Sequence, residues 1–480
     1  MESERQPLLG AGQASDSRPS STASTPRSLE ASAPGEHAKE HEGSIPWLQL
    51  SLLCLARMMD PVVFCSIFPY IAAMVHHNTN LAVSDTGFYS GLIESLFAIV
   101  QTGALMLWSS LSDAIGRKEA LICSLIGTAI GSSLFGMSTT LWQMFLFRCV
   151  TGLFGASNLI TRTMISECVP RNAHAQAFSW LVFAANAGGF VGPMIGGALA
   201  DPSQQYPSLF GDSQWLKDNP YALSGIVVGA ISAGIALSSV FWLRGTQPTI
   251  DNAAAGKTAP SQLSSLRRLV SSPGVPITLG VYLQSKILTI ATSAILAVYL
   301  YTPVETGGAG LSTVHISLYM AVRGGSQMLW LLLAFPFLNG RLGTKRVLSV
   351  VATAWPFIFG GYILMNVMLR STSNVVHQWL WFAVAPAVVL FDSATIMSQT
   401  SVQLAINDAS PSPEYLAKIN ALALVGNGLV GAVTPGTSSA IYAVGARGDI
   451  LSGHLAWAVL ILLSLGFCLL VRWLPHSMKN

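Results

Sequence analysis

Seven ionisable residues lie inside stretches that are otherwise apolar: Arg57, Asp60, Glu94, Arg148, Lys286, Arg323 and Asp392. A charge near the middle of a bilayer costs at least about 2.5–3.5 kcal/mol, so each of them needs a reason to be there. Arg57 and Asp60 stand one helical turn apart, on one face. Burial favours the neutral form of a carboxyl group and a neighbouring cation favours its charged form, so a carboxylate held between the two can trade a proton as its surroundings change. One reading therefore makes these residues the lining of a polar cavity, with Asp60, Glu94 and Asp392 as proton carriers. The other makes Arg57 and Asp60 a structural pair that locks their own helix. For Arg57 both readings stand open at this level; for Asp392 the cavity is favoured.

The elements that must position these residues are long apolar runs. The 480 residues are 51% hydrophobic and only 10% charged, where soluble domains carry roughly 25% charged residues. The lipid bilayer is the expected solvent. Apolar runs fall near 48–75, 86–108, 120–138, 140–163, 177–200 and 221–243, and again near 277–301, 312–335, 347–369, 378–404, 418–443 and 452–473. Each is close to the ~20 residues that cross the hydrocarbon core as a helix, and an open sheet edge would leave backbone groups unpaired in lipid. The expectation is an all-α membrane protein of twelve transmembrane helices in two pseudo-symmetric six-helix bundles, with a site at the midplane between them. Its parts are a disordered tail over 1–46, bundles over 47–244 and 276–474, a polar linker over 245–275, and a short tail over 475–480.

A charged segment, Ser109-Ser-Leu-Ser-Asp-Ala-Ile-Gly-Arg-Lys118, separates the second and third runs and reads as a tight turn. Asn339-Gly-Arg-Leu-Gly-Thr-Lys-Arg346 echoes it in the second half, which suggests an internal duplication. With both termini in the cytoplasm, Arg117, Lys118, Arg171, Arg244, Lys257, Arg267, Arg268, Arg341, Lys345, Arg346, Lys418 and Arg472 fall inside and only Lys217, Arg370 and Arg447 outside, as positive charge is retained on the cytoplasmic side. Glu4-Arg-Gln-Pro-Leu-Leu9 has the spacing of an acidic dileucine sorting signal; the alternative is an unstructured terminus.

Other chemistries find little support. The net charge of +3 does not suggest nucleic acid. The first apolar run follows a long polar tail, so no secretory signal peptide is expected. The six cysteines show no metal-ligand spacing, and adjacent His76 and His77 read as a solvated turn. No nucleophile elbow is present, so no enzyme and no cofactor are expected. Phe64, Phe68, Tyr70, Phe97, Tyr282, Trp330 and Phe391 are candidates to line a pocket, although most intramembrane aromatics face lipid or pack helices.

The fifth run contains Gly188-Gly-Phe-Val-Gly192-Pro193-Met-Ile-Gly196-Gly197. Glycines at this spacing admit a neighbouring helix closely, and Pro193 favours a bend.

Together these segments resemble the major facilitator superfamily. Leu111, Asp113, Gly116, Arg117 and Lys118 match its motif A, with Ser109 and Ala114 departing from it; Arg148-Cys-Val-Thr-Gly152 resembles motif B, and Gly188–Gly197 the antiporter motif C. Ala56-Arg-Met-Met-Asp-Pro61, Ser66-Ile-Phe-Pro-Tyr70, Arg162-Thr-Met-Ile-Ser-Glu167 and Ala405-Ile-Asn-Asp-Ala-Ser-Pro-Ser412 are similar to fungal drug–proton antiporters related to the zinc-induced facilitator-like proteins. The resemblance implies a monomeric exporter of small organic molecules, driven by protons. It implies that Asp113, Arg117 and Arg162, with Glu167, form a cytoplasmic charge cluster holding the outward-facing state, that Arg148 assists proton coupling, and that Gly188, Gly192, Pro193, Gly196 and Gly197 shape a hinge. The plasma membrane is the expected location. The competing expectation is a vacuolar or uptake carrier for an amino acid, sugar or metal chelate.

Overall fold

The computed structural model describes residues 46–79, 82–170, 173–245, 274–408 and 413–474. The Glu4–Leu9 run, the tails, Arg171, Lys257, Arg267 and Arg268 lie outside the described residues, as does the Lys418 side chain. Among the described residues, twelve helices are long and apolar enough to span a membrane. Six precede the polar segment at 246–273: Trp47–Cys65, Asp85–Ile115, Arg117–Gly136, Leu141–Cys168, Gln176–Ala198 and Ala222–Trp242. Six follow it: Val275–Tyr301, Thr313–Leu342, Thr344–Leu369, Asn374–Asp408, Ile419–Arg447 and Leu455–Arg472. Large apolar side chains such as Phe357, Phe382 and Met106 are at least three-quarters exposed, which water would penalise and acyl chains welcome.

Several spans depart from the continuous helices that hydropathy suggests. The segment after the second run is not an extended turn: helix continues through Ile115 and resumes at Arg117. Only Gly116 breaks it, at φ 102°, a conformation that disfavours any side chain. Gly343 does the same between the eighth and ninth spans, at φ 79°, so the duplication extends to backbone geometry. The first run is interrupted after Cys65 by a turn containing Pro69 and resumes as the helix Ile71–Thr79. His76 and His77 belong to that helix rather than to a loop. The fourth span breaks at Gly155–Ala156 and restarts at Ser157.

The two halves meet at one end. A continuous core there joins Tyr70, Ile71, Val75 and Ile93 to Ile295, Val298, Tyr299 and Tyr442. Arg447 pairs with Asp85 across the seam. At the opposite end, which carries Gly116 and Gly343, the first half has a core of its own. It runs from Leu50 to Leu243 and contains residues of the first six spans alone. The second half's residues there divide between a small cluster of Phe335, Val347, Val351 and Met397 and the continuation of the shared core through Leu348, Ile406 and Leu474.

Two proline-bearing helices make the seam, and they occupy equivalent places in the two halves. Pro193 in the fifth span accepts a hydrogen bond at its carbonyl from Ser317 Oγ of the eighth, at 2.9 Å. In the eleventh span Gly436, next to Pro435, donates its N–H to Ser95 Oγ of the second, at 2.8 Å. The motif C glycines divide between two neighbours. Gly188, Gly192 and Gly196 lie on the first span, where an added Cβ would meet the carbonyls of Met58, Val62 and Ser66. Gly197 lies on Ser317 of the other half.

This division separates folding from closure. Gly196→Val is expected to overpack the first half and to cost about 1–3 kcal/mol, lowering the thermal unfolding temperature of the purified protein. Gly197→Val should leave that temperature nearly unchanged while forcing the halves apart. Cross-linking between cysteines placed at Asp85 and Arg447 reads the difference: efficient on the parent background and several-fold weaker with Gly197→Val.

Candidate functional site

Each intramembrane acid stands beside an arginine. In the first span Arg57 lies 3.7 Å from Asp60. Asp60 also accepts the backbone N–H of Asn158 at 2.8 Å. The break at Gly155–Ala156 creates this contact. It exposes the unpaired N–H groups at the start of the helix Ser157–Cys168, and a carboxylate from a neighbouring helix satisfies them. Asp60 is therefore at once the partner of Arg57 and the cap of the half-helix.

Arg148 exploits the matching break in the first span. Where the helix stops at Cys65, carbonyls of its last turn lack their usual amide partners. Arg148 donates from Nη1 to Val63 O and from Nη2 to Phe64 O, both at 3.4 Å. Its guanidinium sits 4.2 Å from the centroid of Phe97 and 5.4 Å from that of Phe64, close enough for cation–π attraction. It is 1% exposed, and its Nε has no partner. Glu94, 3% exposed, feels the Arg148 charge without reaching ion-pair distance, so its carboxyl group can change protonation without breaking a hydrogen bond.

In the second half Arg323 Nε donates to Asp392 Oδ2. Asp392 is fully buried and its other oxygen has no partner. Tyr319 donates to Tyr362 Oη at 3.1 Å nearby, within reach of the same pair. Asp392 is thus enclosed among the eighth, ninth and tenth spans. The pairs nevertheless approach one another: Cys65 on the first span feels the charges of Arg148, Glu94 and Arg323 together.

Nearer the Gly116–Gly343 end lie three further residues. Lys286 Nζ stands 5.3 Å from the centroid of the Tyr282 ring. Arg162, from the other half, is close enough to Tyr282 and to Arg57 for its charge to act on both. Arg162 Nε donates to Asn158 Oδ1 at 3.1 Å.

The motif A cluster gathers three of its four expected members. Arg117 pairs with Asp113, contacts Glu167 Oε1 at 3.3 Å and donates to Ser112 Oγ at 2.8 Å. Lys118 Nζ donates to Val240 O at 2.8 Å. Arg162 stands apart, because five helical residues rotate it about 140° from Glu167. The break that brings Asn158 to Asp60 escaped the sequence reading, although Gly155-Ala-Ser-Asn158 has the residues of a helix start. An apolar groove between the seventh, eleventh and twelfth spans, lined by Ile287, Ala291, Thr434 and Leu460 among others, includes none of these charges.

The family model of the Major Facilitator Superfamily matches residues 50–435. The chain is 32% identical to efflux pump azaK of Aspergillus niger over 458 residues, 93% of this chain and 94% of that protein. It is 27% identical to the major facilitator superfamily multidrug transporter mfsB of Aspergillus fumigatus, covering 84% and 79% of the two chains. The crystal structure of a D-xylose–proton symporter superposes with a TM-score of 0.70, at 14% identity over 91% of this chain and 99% of that one.

The double duty of Asp60 is open to measurement. Asp60→Ala strands the partly buried Arg57 and removes the acceptor for Asn158 N–H, a change expected to cost about 3 kcal/mol. Asp60→Asn keeps an acceptor oxygen and should lose less than half as much. Thermal unfolding of the two variants in detergent or nanodiscs checks the order.

Proposed function

Because the chain belongs to the major facilitator superfamily and is a secondary transporter, we propose that it exports small organic molecules in exchange for protons by alternating access. The observation that carries this reading is the asymmetric contact between the halves. Residues of the first half enter the shared core only at the Asp85–Arg447 end, and toward Gly116 that half keeps a core containing no residue of the second. A cleft that opens toward one side and is sealed toward the other is what alternating access requires.

Basic residues give the cleft a side. Arg117, Lys118, Arg244, Arg341, Lys345, Arg346 and Arg472 crowd the open end, against Lys217, Arg370 and Arg447 at the sealed end. The positive-inside rule makes the open end cytoplasmic, and the plasma membrane remains our placement. Export is supported by the two Aspergillus relatives, an efflux pump and a multidrug transporter.

Glu94 is our choice of proton carrier. Asp60 is committed to a helix end and Asp392 to Arg323, whereas Glu94 has neither a hydrogen bond nor a contact cation to lose. Arg148 beside it is anchored to the first span, so a change of charge at Glu94 acts on the helix that packs against the motif C glycines. The residues between the halves move together when the seam opens, which exposes Glu94 to the acidic side and completes the exchange.

Inside-out vesicles acidified internally test this. Uptake of a transported compound should rise several-fold with the imposed gradient and collapse when a protonophore dissipates it. Glu94→Gln is expected to lose at least ten-fold of the gradient-driven flux while retaining substrate exchange without a gradient. Flux indifferent to the gradient would remove the antiport reading.

A further inference from the structure

We infer that the turn Asp449–His454, between the last two spans, is a pH-operated catch on the sealed end of the cleft. A proton taken up at Nε2 of His454 frees the turn, and with it the Arg447–Asp85 pair that joins the halves. The inference deepens the exporter reading and rests on it only for the side of the membrane that this end faces.

The turn is held in a conformation that its residues resist. Asp449, Leu451 and Ser452 have φ of 48°, 52° and 56°, the left-handed region in which a side chain crowds its own backbone. Contacts on three sides keep it there. Ile450 N–H donates to Gly445 O at 3.0 Å and ties the turn to the end of the eleventh span, whose last residue is Arg447. Arg370, at the end of the ninth span, donates to Ser452 O at 2.9 Å and to Glu305 O at 3.3 Å. Gly453 lies against the loop that follows the seventh span, where an added Cβ would meet Thr306 O.

His454 closes the turn. It is 6% exposed, and its Nδ1 stands 2.9 Å from Leu451 O. A carbonyl only accepts, so Nδ1 carries the hydrogen and Nε2 is the basic nitrogen. Nε2 is buried and has no partner among the described residues. A proton arriving there creates a buried donor without an acceptor. The charged groups around the turn are Asp449 within it, Arg447 before it, Arg370 from the ninth span and Glu305 from the loop after the seventh. Burial lowers the imidazole pKa below the usual histidine value; the bond to Leu451 O opposes this, Arg370 adds to it and Asp449 opposes it. In a released turn the ring is hydrated and takes its proton at the ordinary value, roughly 6.5. The closed turn is therefore fully stable above that pH and loses stability as the pH falls below it. The ring then leaves for water, Leu451 and Ser452 relax to ordinary backbone geometry, and Arg447 loses the support that fixes it at Asp85. On the exporter reading, an acidic exterior opens the face through which protons enter.

The test places spin labels on cysteines at Ser208 and Thr372, both exposed at the sealed end and one in each half, in the otherwise cysteine-free, full-length protein in nanodiscs. Pulsed electron–electron resonance reads the distance between them at a series of pH values from 7.5 to 5.0. A short distance should dominate at pH 7.5, and a longer one should grow at least five-fold in population by pH 5.0. His454→Gln can still donate to Leu451 O but takes no proton, so it should stay closed across the range. Arg370→Gln provides a second variant should His454→Gln fold poorly. It removes the clamp on Ser452 O and the charge that opposes the proton, and should move the midpoint upward by at least about half a pH unit. A parent distance that ignores pH, an opening that persists in His454→Gln, or a midpoint unmoved in Arg370→Gln overturns the inference. The pH is equal on both faces of a nanodisc, so failure of gradient-driven uptake in vesicles would defeat the export reading and leave this result standing.

Discussion

An unpaired charge in hydrocarbon is expensive, and the interior of this protein is arranged around that cost. Its three intramembrane acids stand beside three arginines: Asp60 with Arg57, Glu94 with Arg148, and Asp392 with Arg323. The pairs differ in how tightly they are held. Asp392 is in direct contact and enclosed, Asp60 is shared with a helix end, and Glu94 is near its arginine without touching it. That gradation separates side chains in direct contact with a partner from one that touches none.

Broken helices supply the rest of the polar chemistry. A transmembrane helix that stops in mid-membrane leaves amides or carbonyls unpaired, which is tolerated only where protein groups meet them. Here the first span ends in carbonyls that receive Arg148, and the fourth restarts with amides that receive Asp60. The two breaks therefore lock the first and fourth spans to each other. A change at Asp60 or Arg148 is a change in helix packing as well as in charge.

The seam between the halves has the same economy of parts. The fifth and eleventh spans each carry a proline, and each meets a serine from the opposite half beside it. Small residues on both helices let the backbones approach closely: Gly91 lies against Ser439 and Gly197 against Ser317. Contacts of this kind depend on shape and little on polarity. They are made along one side of each of two helices and involve few polar groups.

The number of spans, their order and the division into six and six were legible in the sequence, because a bilayer demands about twenty apolar residues per crossing and tolerates few charges within them. The charged residues that deserved scrutiny were legible for the same reason, as was the glycine pattern of the fifth span. Partnership was not. Hydropathy is read residue by residue, so it passed through the breaks at Gly155–Ala156 and after Cys65 and extended the segment at 109–118 into a turn that is one residue, Gly116. That Asp60 caps a helix, that Asp392 is sealed by Arg323, and that Arg162 leaves the motif A cluster for Asn158 were decided by tertiary structure alone. Each depends on which helix lies alongside which, and on a rotation of a few residues about a helix axis, quantities that composition and spacing along one chain do not contain.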